Sequence, residues 1–193
     1  MLVKRLLMVS VACAMLLFGV ISPAMADAAS GNAINGLVLV GDLPKDAELA
    51  DEKSDDEGNY YQELATSDGA FIIATFRQKV NDDYPMEMPL PDFLQKALAL
   101  EEVPEMEAVP VEPVAAYPAD RVRFQLGENE DTSIEDVVVI RTDEYYFIFL
   151  AHTSADIYYG YTDGFEEDDA AQIIDAWVES LDLFDSGETT GGE

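Results

Sequence analysis

Residues 145–151, YYFIFLA, are apolar on both faces of any strand they form, with Tyr145, Phe147 and Phe149 pointing one way and Tyr146, Ile148 and Leu150 the other. Such a strand must be covered on both sides, which places it at the centre of a layered fold. The preceding run, Asp136 to Arg141 (DVVVIR), is joined to it by Thr142, Asp143 and Glu144, a three-residue hairpin connection. Before that, Arg121 to Leu126 alternates, with Val122, Phe124 and Leu126 on one face and Arg121, Arg123 and Gln125 on the other, as a half-buried strand does. Gly127 to Asp131 is the turn between them.

Further upstream, Gly36 to Val40 (GLVLV) is a short apolar run closed by Gly41, Asp42 and Pro44 and suits a first strand. Residues 45–58 are densely acidic with little apolar content and are expected to form an exposed loop. Tyr60 to Thr66 and Ala70 to Lys79 flank Ser67, Asp68 and Gly69, and an Asp-Gly pair between two strand-like runs predicts a hairpin. Phe93, Leu94, Ala97 and Leu98 follow a helical period behind Pro91 and Asp92, which suit a first turn. Val103 to Pro118 holds Pro104, Pro110, Pro113 and Pro118, which forbid helix and most central pairing; Val109, Val111, Val114 and Ala115 give this extended crossing something to bury. At the end, Ala170, Ile173, Ile174, Trp177, Val178 and Leu181 mark one face of a helix, and Asp163 with Glu166 has the spacing of a capping box before it.

Residues 1–26 combine Lys4 and Arg5, an apolar stretch from Leu6 to Ile21, and the small residues Ala24 and Ala26 behind Pro23, the pattern of a secretory signal peptide cleaved after Ala26. The expected location is therefore secreted or periplasmic, with no stable membrane anchor after cleavage. The only cysteine, Cys13, falls in that leader, so the exported chain has no disulfide, no thiolate zinc site and no cysteine nucleophile. Residues 27–35 are a small, polar lead-in, 36–184 a single domain, and 185–193 an acidic, Gly-rich tail expected to be disordered.

The whole chain carries 40 acidic against 10 basic side chains, a formal charge of -30. Half its residues are apolar, too many for a charge-driven disordered polymer. A nucleic-acid partner is excluded, because a polyanion meets repulsion where such proteins gain counterion release.

Three segments carry a resemblance: SDGAFIIATFRQ at 67–78, VRFQLGENEDTSIEDVVVIRTDEYYFIFLAHT at 122–153 and AAQIIDAWVESLDLF at 170–184. With the order strand, hairpin, helix, Pro-rich crossing, meander and closing helix, the chain resembles the PsbP-like superfamily, which includes small exported bacterial proteins of the DcrB and LpqN kind. The resemblance implies an α+β fold, a mainly antiparallel sheet packed with helices in an α/β/α sandwich and closed by the C-terminal amphipathic helix. It also implies a non-enzymatic binding or accessory role in the cell envelope, with a protein or small ligand as partner.

The side chains name no catalytic, cofactor-binding or metal site. The lone histidine, His152, ends the central strand beside Thr153, Ser154 and Asp156, but strand neighbours alternate, so His152 and Thr153 point apart; an ordinary hydrogen bond is expected. There is no G-x-S-x-G, no phosphate-binding glycine loop and no second histidine. An aromatic sugar platform would depend on Tyr158, Tyr159 and Tyr161. Acidic clusters at Asp51 to Glu57, Asp82 with Asp83, Glu128 to Asp131 and Glu166 to Asp169 raise an alternative, an extracellular calcium- or salt-responsive protein. None has the D-x-D-x-D-G register. Arg77, Lys79, Arg121, Arg123 and Arg141 lie in strands or at their ends, where they either form a patch for an anionic ligand or pair with carboxylates across strands.

Overall fold

A computed structural model describes residues 37–127 and 132–185. The leader, the lead-in, the turn tip at 128–131 and the tail beyond Asp185 lie outside the described residues. Nine strands, β1 (Leu37–Val40), β2 (Glu48–Ser54), β3 (Tyr60–Ala65), β4 (Phe71–Lys79), β5 (Glu107–Val109), β6 (Ala119–Leu126), β7 (Ser133–Arg141), β8 (Tyr145–Ser154) and β9 (Asp182–Asp185), are described with three helices, α1 (Leu90–Ala97), α2 (Ala155–Tyr158) and α3 (Asp169–Glu179).

Strands β2 to β8 form one seven-stranded sheet in the order β2-β3-β4-β8-β7-β6-β5, every pair antiparallel. The doubly apolar run of β8 is its middle strand, as its composition demands. One face of the sheet presents Phe76, Val137, Val139, Tyr146 and Ile148 and is covered by α1 through Phe93 and Leu94. The Phe93 ring stacks on Tyr146 at 4.3 Å between centroids, and Tyr146 Oη donates to the Pro85 carbonyl at 2.6 Å. The other face presents Ile73, Val138, Ile140, Phe147 and Phe149 and is covered by α3 through Ala170, Ile174, Trp177 and Val178. Trp177 meets Phe71 edge to face at 5.1 Å. The result is the expected α+β sandwich, with a helix layer on each side of an antiparallel sheet.

The β3–β4 hairpin has the expected turn, held by Asp68, whose Oδ1 accepts from the Thr66 hydroxyl at 2.7 Å and from the Ala70 amide at 3.0 Å. Those two hydrogen bonds hold the Asp68 carboxyl below its ordinary pKa.

Four expectations need correction. The acidic stretch 45–58 is not all loop, because Glu48–Ser54 pairs along β3 as an edge strand, with a register shift between Leu49 and Asp51. An edge strand has to satisfy only one side, so its charges face solvent and discourage further pairing. Helix α3 begins at Asp169 and not behind Asp163: Gly164 sits at φ 102°, a left-handed conformation through which a right-handed helix cannot run. Asp169 itself accepts from the Glu166 amide at 2.8 Å. Asp185, assigned above to the tail, is instead the last residue of β9, which pairs with β1 in a separate two-stranded sheet; Leu39 and Leu183 sit opposite each other and pack on the α3 side of the core. In the Pro-rich crossing Val114 is buried, but Ala115 is exposed, and β5 pairs only with the outer side of β6.

Candidate functional site

The C-terminal end of β8 gathers the polar groups of the α1 face. His152 lies directly across from Glu135 on β7, and its Nδ1 is 2.6 Å from Glu135 Oε1. The Ser133 hydroxyl donates to that same Oε1 at 2.8 Å. On β3, Tyr61 Oη donates to Glu63 Oε2. Glu63, Glu135, Tyr61 and Ser133 are all buried. Burial works against a charged imidazole, but the hydrogen bond and charge of Glu135, with Glu63 adding its charge, overcome it, so the pKa of His152 is raised. Nε2 of His152 is buried and hydrogen-bonds to no described residue.

This geometry is not a hydrolytic triad. In a triad the base binds its acid through one ring nitrogen and its nucleophile through the other. Here the serine and the histidine converge on one carboxylate oxygen. Thr153 points the opposite way, as strand alternation requires, and donates to the Ala70 carbonyl at 2.9 Å.

The α3 face of the same sheet holds a second buried polar group. Asp136, fully buried, accepts from Arg121 Nε at 2.7 Å and Nη2 at 3.0 Å, and from Arg123 at 2.7 and 3.0 Å. Arg121 Nη2 also reaches Asp175 of α3 at 2.6 Å, tying helix to sheet. Burial disfavours the Arg121 charge, yet the Asp136 and Asp175 contacts outweigh it and its pKa is raised. Arg141 pairs with Asp120 at 3.1 Å, and Arg77 Nε donates to the Gly58 carbonyl at 2.6 Å beneath the Tyr145 ring. Of the two roles open to the strand arginines, the geometry takes cross-strand ion pairing for Arg121, Arg123 and Arg141.

No family model and no curated protein sequence matches the chain. Solved structures that resemble it include two of low sequence identity. The solution structure of cyanobacterial PsbP (CyanoP) from Synechocystis sp. PCC 6803 is 13% identical with a TM-score of 0.48, over 80% of this chain and 96% of that one. The crystal structure of LpqN, involved in cell envelope biogenesis of Mycobacterium tuberculosis, is 12% identical with a TM-score of 0.37, over 76% and 83%. The fold itself is an α+β sandwich, a seven-stranded antiparallel sheet covered by a helix on each face.

Two of the acidic clusters have carboxylates in local use. Asp55 accepts from the Glu57 and Asn59 amides, each at 2.9 Å, and from Asn59 Nδ2 at 2.8 Å, closing the β2–β3 turn. Asp83 pairs with Lys96 of α1 at 3.2 Å. The 166–169 cluster leads into α3, and 128–131 lies outside the described residues. Among the described residues no group of three metal-ligating side chains is set to hold an ion.

Glu63, Glu135, Ser133 and Asp136 were not anticipated as site residues. For Glu135 and Asp136 the signal is a carboxylate inside an otherwise core-like strand, SIEDVVVIR, since a charge there has to find a buried partner.

Proposed function

We propose that the protein is an exported, non-enzymatic binding or accessory domain acting on a partner in the cell envelope. The observation that carries this reading is the convergence of Ser133 and His152 on Glu135 Oε1, which commits the only histidine to a structural pair and leaves it no described hydroxyl to activate. The leader at 1–26 supports export. Turnover by the purified protein in a broad hydrolase panel, lost on His152→Gln, would sink the reading; in its favour would be no turnover, together with release of residues 27–193 from the producing cell and cross-linking to a defined envelope protein.

A further inference from the structure

Tyr158, Tyr159 and Tyr161 follow one another at the end of α2, with ring centroids 5.3 Å apart for the first pair and 6.2 Å for the second. The faces of such rings attract cations. Tyr158 already has one, since the Arg123 guanidinium lies 5.3 Å from its centroid. Tyr159 and Tyr161 have none among the described residues, and they are 38% and 78% exposed.

Among the described residues the chain offers them no cation of its own. No lysine or arginine follows Arg141, while Asp156, Glu166 and Glu167 are exposed. The Tyr161 amide donates to the Asp156 carbonyl at 2.7 Å, and a Cβ at Gly160 would meet the Glu167 nitrogen at 2.5 Å, so these acidic segments lie against the tyrosine turn. The turn is held in place: the Tyr159 amide donates to Ala155 O at 2.9 Å, and Gln125 Nε2 donates to Tyr159 Oη at 2.9 Å. A surface ordered in advance loses less entropy when a partner arrives.

We propose that Tyr159 and Tyr161, with the carboxylates of Asp156, Glu166 and Glu167, form a docking surface for an arginine-bearing segment of a partner protein. The proposal rests on the binding-domain reading and names its partner's chemistry. Guanidinium is preferred to ammonium because it can lie flat on a ring and bond a carboxylate along its edge. Polyanions are repelled by a net charge of -30.

The test is fluorescence anisotropy of the purified exported chain with a short peptide of arginines spaced by glycine and serine, at physiological ionic strength. The control peptide carries citrulline, the neutral isostere of arginine. The arginine peptide is expected to bind, the citrulline peptide about tenfold more weakly, and Y159A/Y161A to weaken the arginine peptide about tenfold. Y161A alone, at the more exposed ring, gives a smaller loss in the same direction with an unchanged melting temperature. D56N/E57Q neutralises acid at the opposite end of β8, where Gly58 abuts Tyr145, and is expected to change binding less than about twofold.

Equal losses for D56N/E57Q and Y159A/Y161A overturn the proposal in favour of general attraction to a polyanion. So does binding of a neutral oligosaccharide to the tyrosines with no binding of the arginine peptide. If the arginine peptide fails and a cross-linked envelope partner is retained by Y159A/Y161A, the surface is wrong and the binding-domain reading survives. Substrate turnover overturns that reading itself.

Discussion

His152 Nδ1 and Glu135 Oε1 stand 2.6 Å apart between directly opposed residues of β8 and β7. Because this pair, with Glu63 nearby, raises the histidine pKa, the folded protein holds its proton to higher pH than the unfolded chain, whose histidine titrates near about 6.5. The contribution to stability is therefore complete below about pH 6.5 and is lost as pH rises through the folded value. Urea unfolding followed across the neutral range should show stability falling with pH, by at most about 1.4 kcal/mol per pH unit. Tyr60 and Tyr84 do not interfere, since burial pushes both up to about 12. His152→Gln should flatten the slope, and a wild-type profile that is already flat contradicts the charged pair.

Asp136 pairs with two arginines from inside the fold. Asp136→Asn leaves Arg121, whose side chain is 5% exposed, without its main partner and is expected to cost about 3–5 kcal/mol in urea unfolding. Asp175 bonds the same guanidinium but is 49% exposed, so Asp175→Asn should cost no more than about 1 kcal/mol. Equal losses would mean that burial is not what sets the value of the pair.

Gly69 and Gly160 both adopt positive φ, at 72° and 69°, but their surroundings differ. A Cβ at Gly69 meets nothing within 4 Å, whereas at Gly160 it would lie 2.5 Å from the Glu167 nitrogen and 2.6 Å from the Glu166 carbonyl carbon. Gly69→Ala should cost about 1–2 kcal/mol, the price of the conformation alone. Gly160→Ala should cost clearly more, measured as the larger drop in melting temperature.

Removing the Phe93 ring takes away the stacked partner of Tyr146 and opens a cavity under α1. Phe93→Ala is expected to lose about 3–5 kcal/mol, and amide exchange of the α1 face should rise with it.

The surplus of carboxylates is a self-repelling charge that salt screens over a Debye length of about 8 Å at physiological ionic strength. The melting temperature of residues 27–193 should climb with sodium chloride. Calcium at matched ionic strength should add nothing, since Asp55 already spends its oxygens on its own turn. A calcium-specific rise would favour a bound ion and make residues 51–57 the first to mutate.

The strands that were legible are those whose pattern needs only their own residues. β8 announces its central place by being apolar on both faces, and the β3–β4 hairpin by Asp68 and Gly69. β2 was hidden because ELADEKS has no apolar face to reveal an edge strand, and β9 because its pairing with Leu37–Val40 spans nearly the whole chain. The start of α3 was misplaced because the capping spacing of Asp163 and Glu166 says nothing of the left-handed Gly164 between them. For the site, a hydrogen-bonded His152 pointing away from Thr153 and the two roles open to the strand arginines follow from the sequence, but not their partners. Glu135 and Asp136 are adjacent, and only the register of the sheet decides that one serves His152 and the other serves Arg121 and Arg123 on the opposite face.

The antiparallel pairing of Leu37 with Asp185 brings the first and last described strands together, so the first and last described residues stand side by side. A pull applied through both ends would load the four paired positions one after another, like opening a zipper, and leave the larger sheet untouched until β1 and β9 had parted. Tension along the chain would then be met first by this small clasp, at low force, with the core and its buried ion pairs still intact.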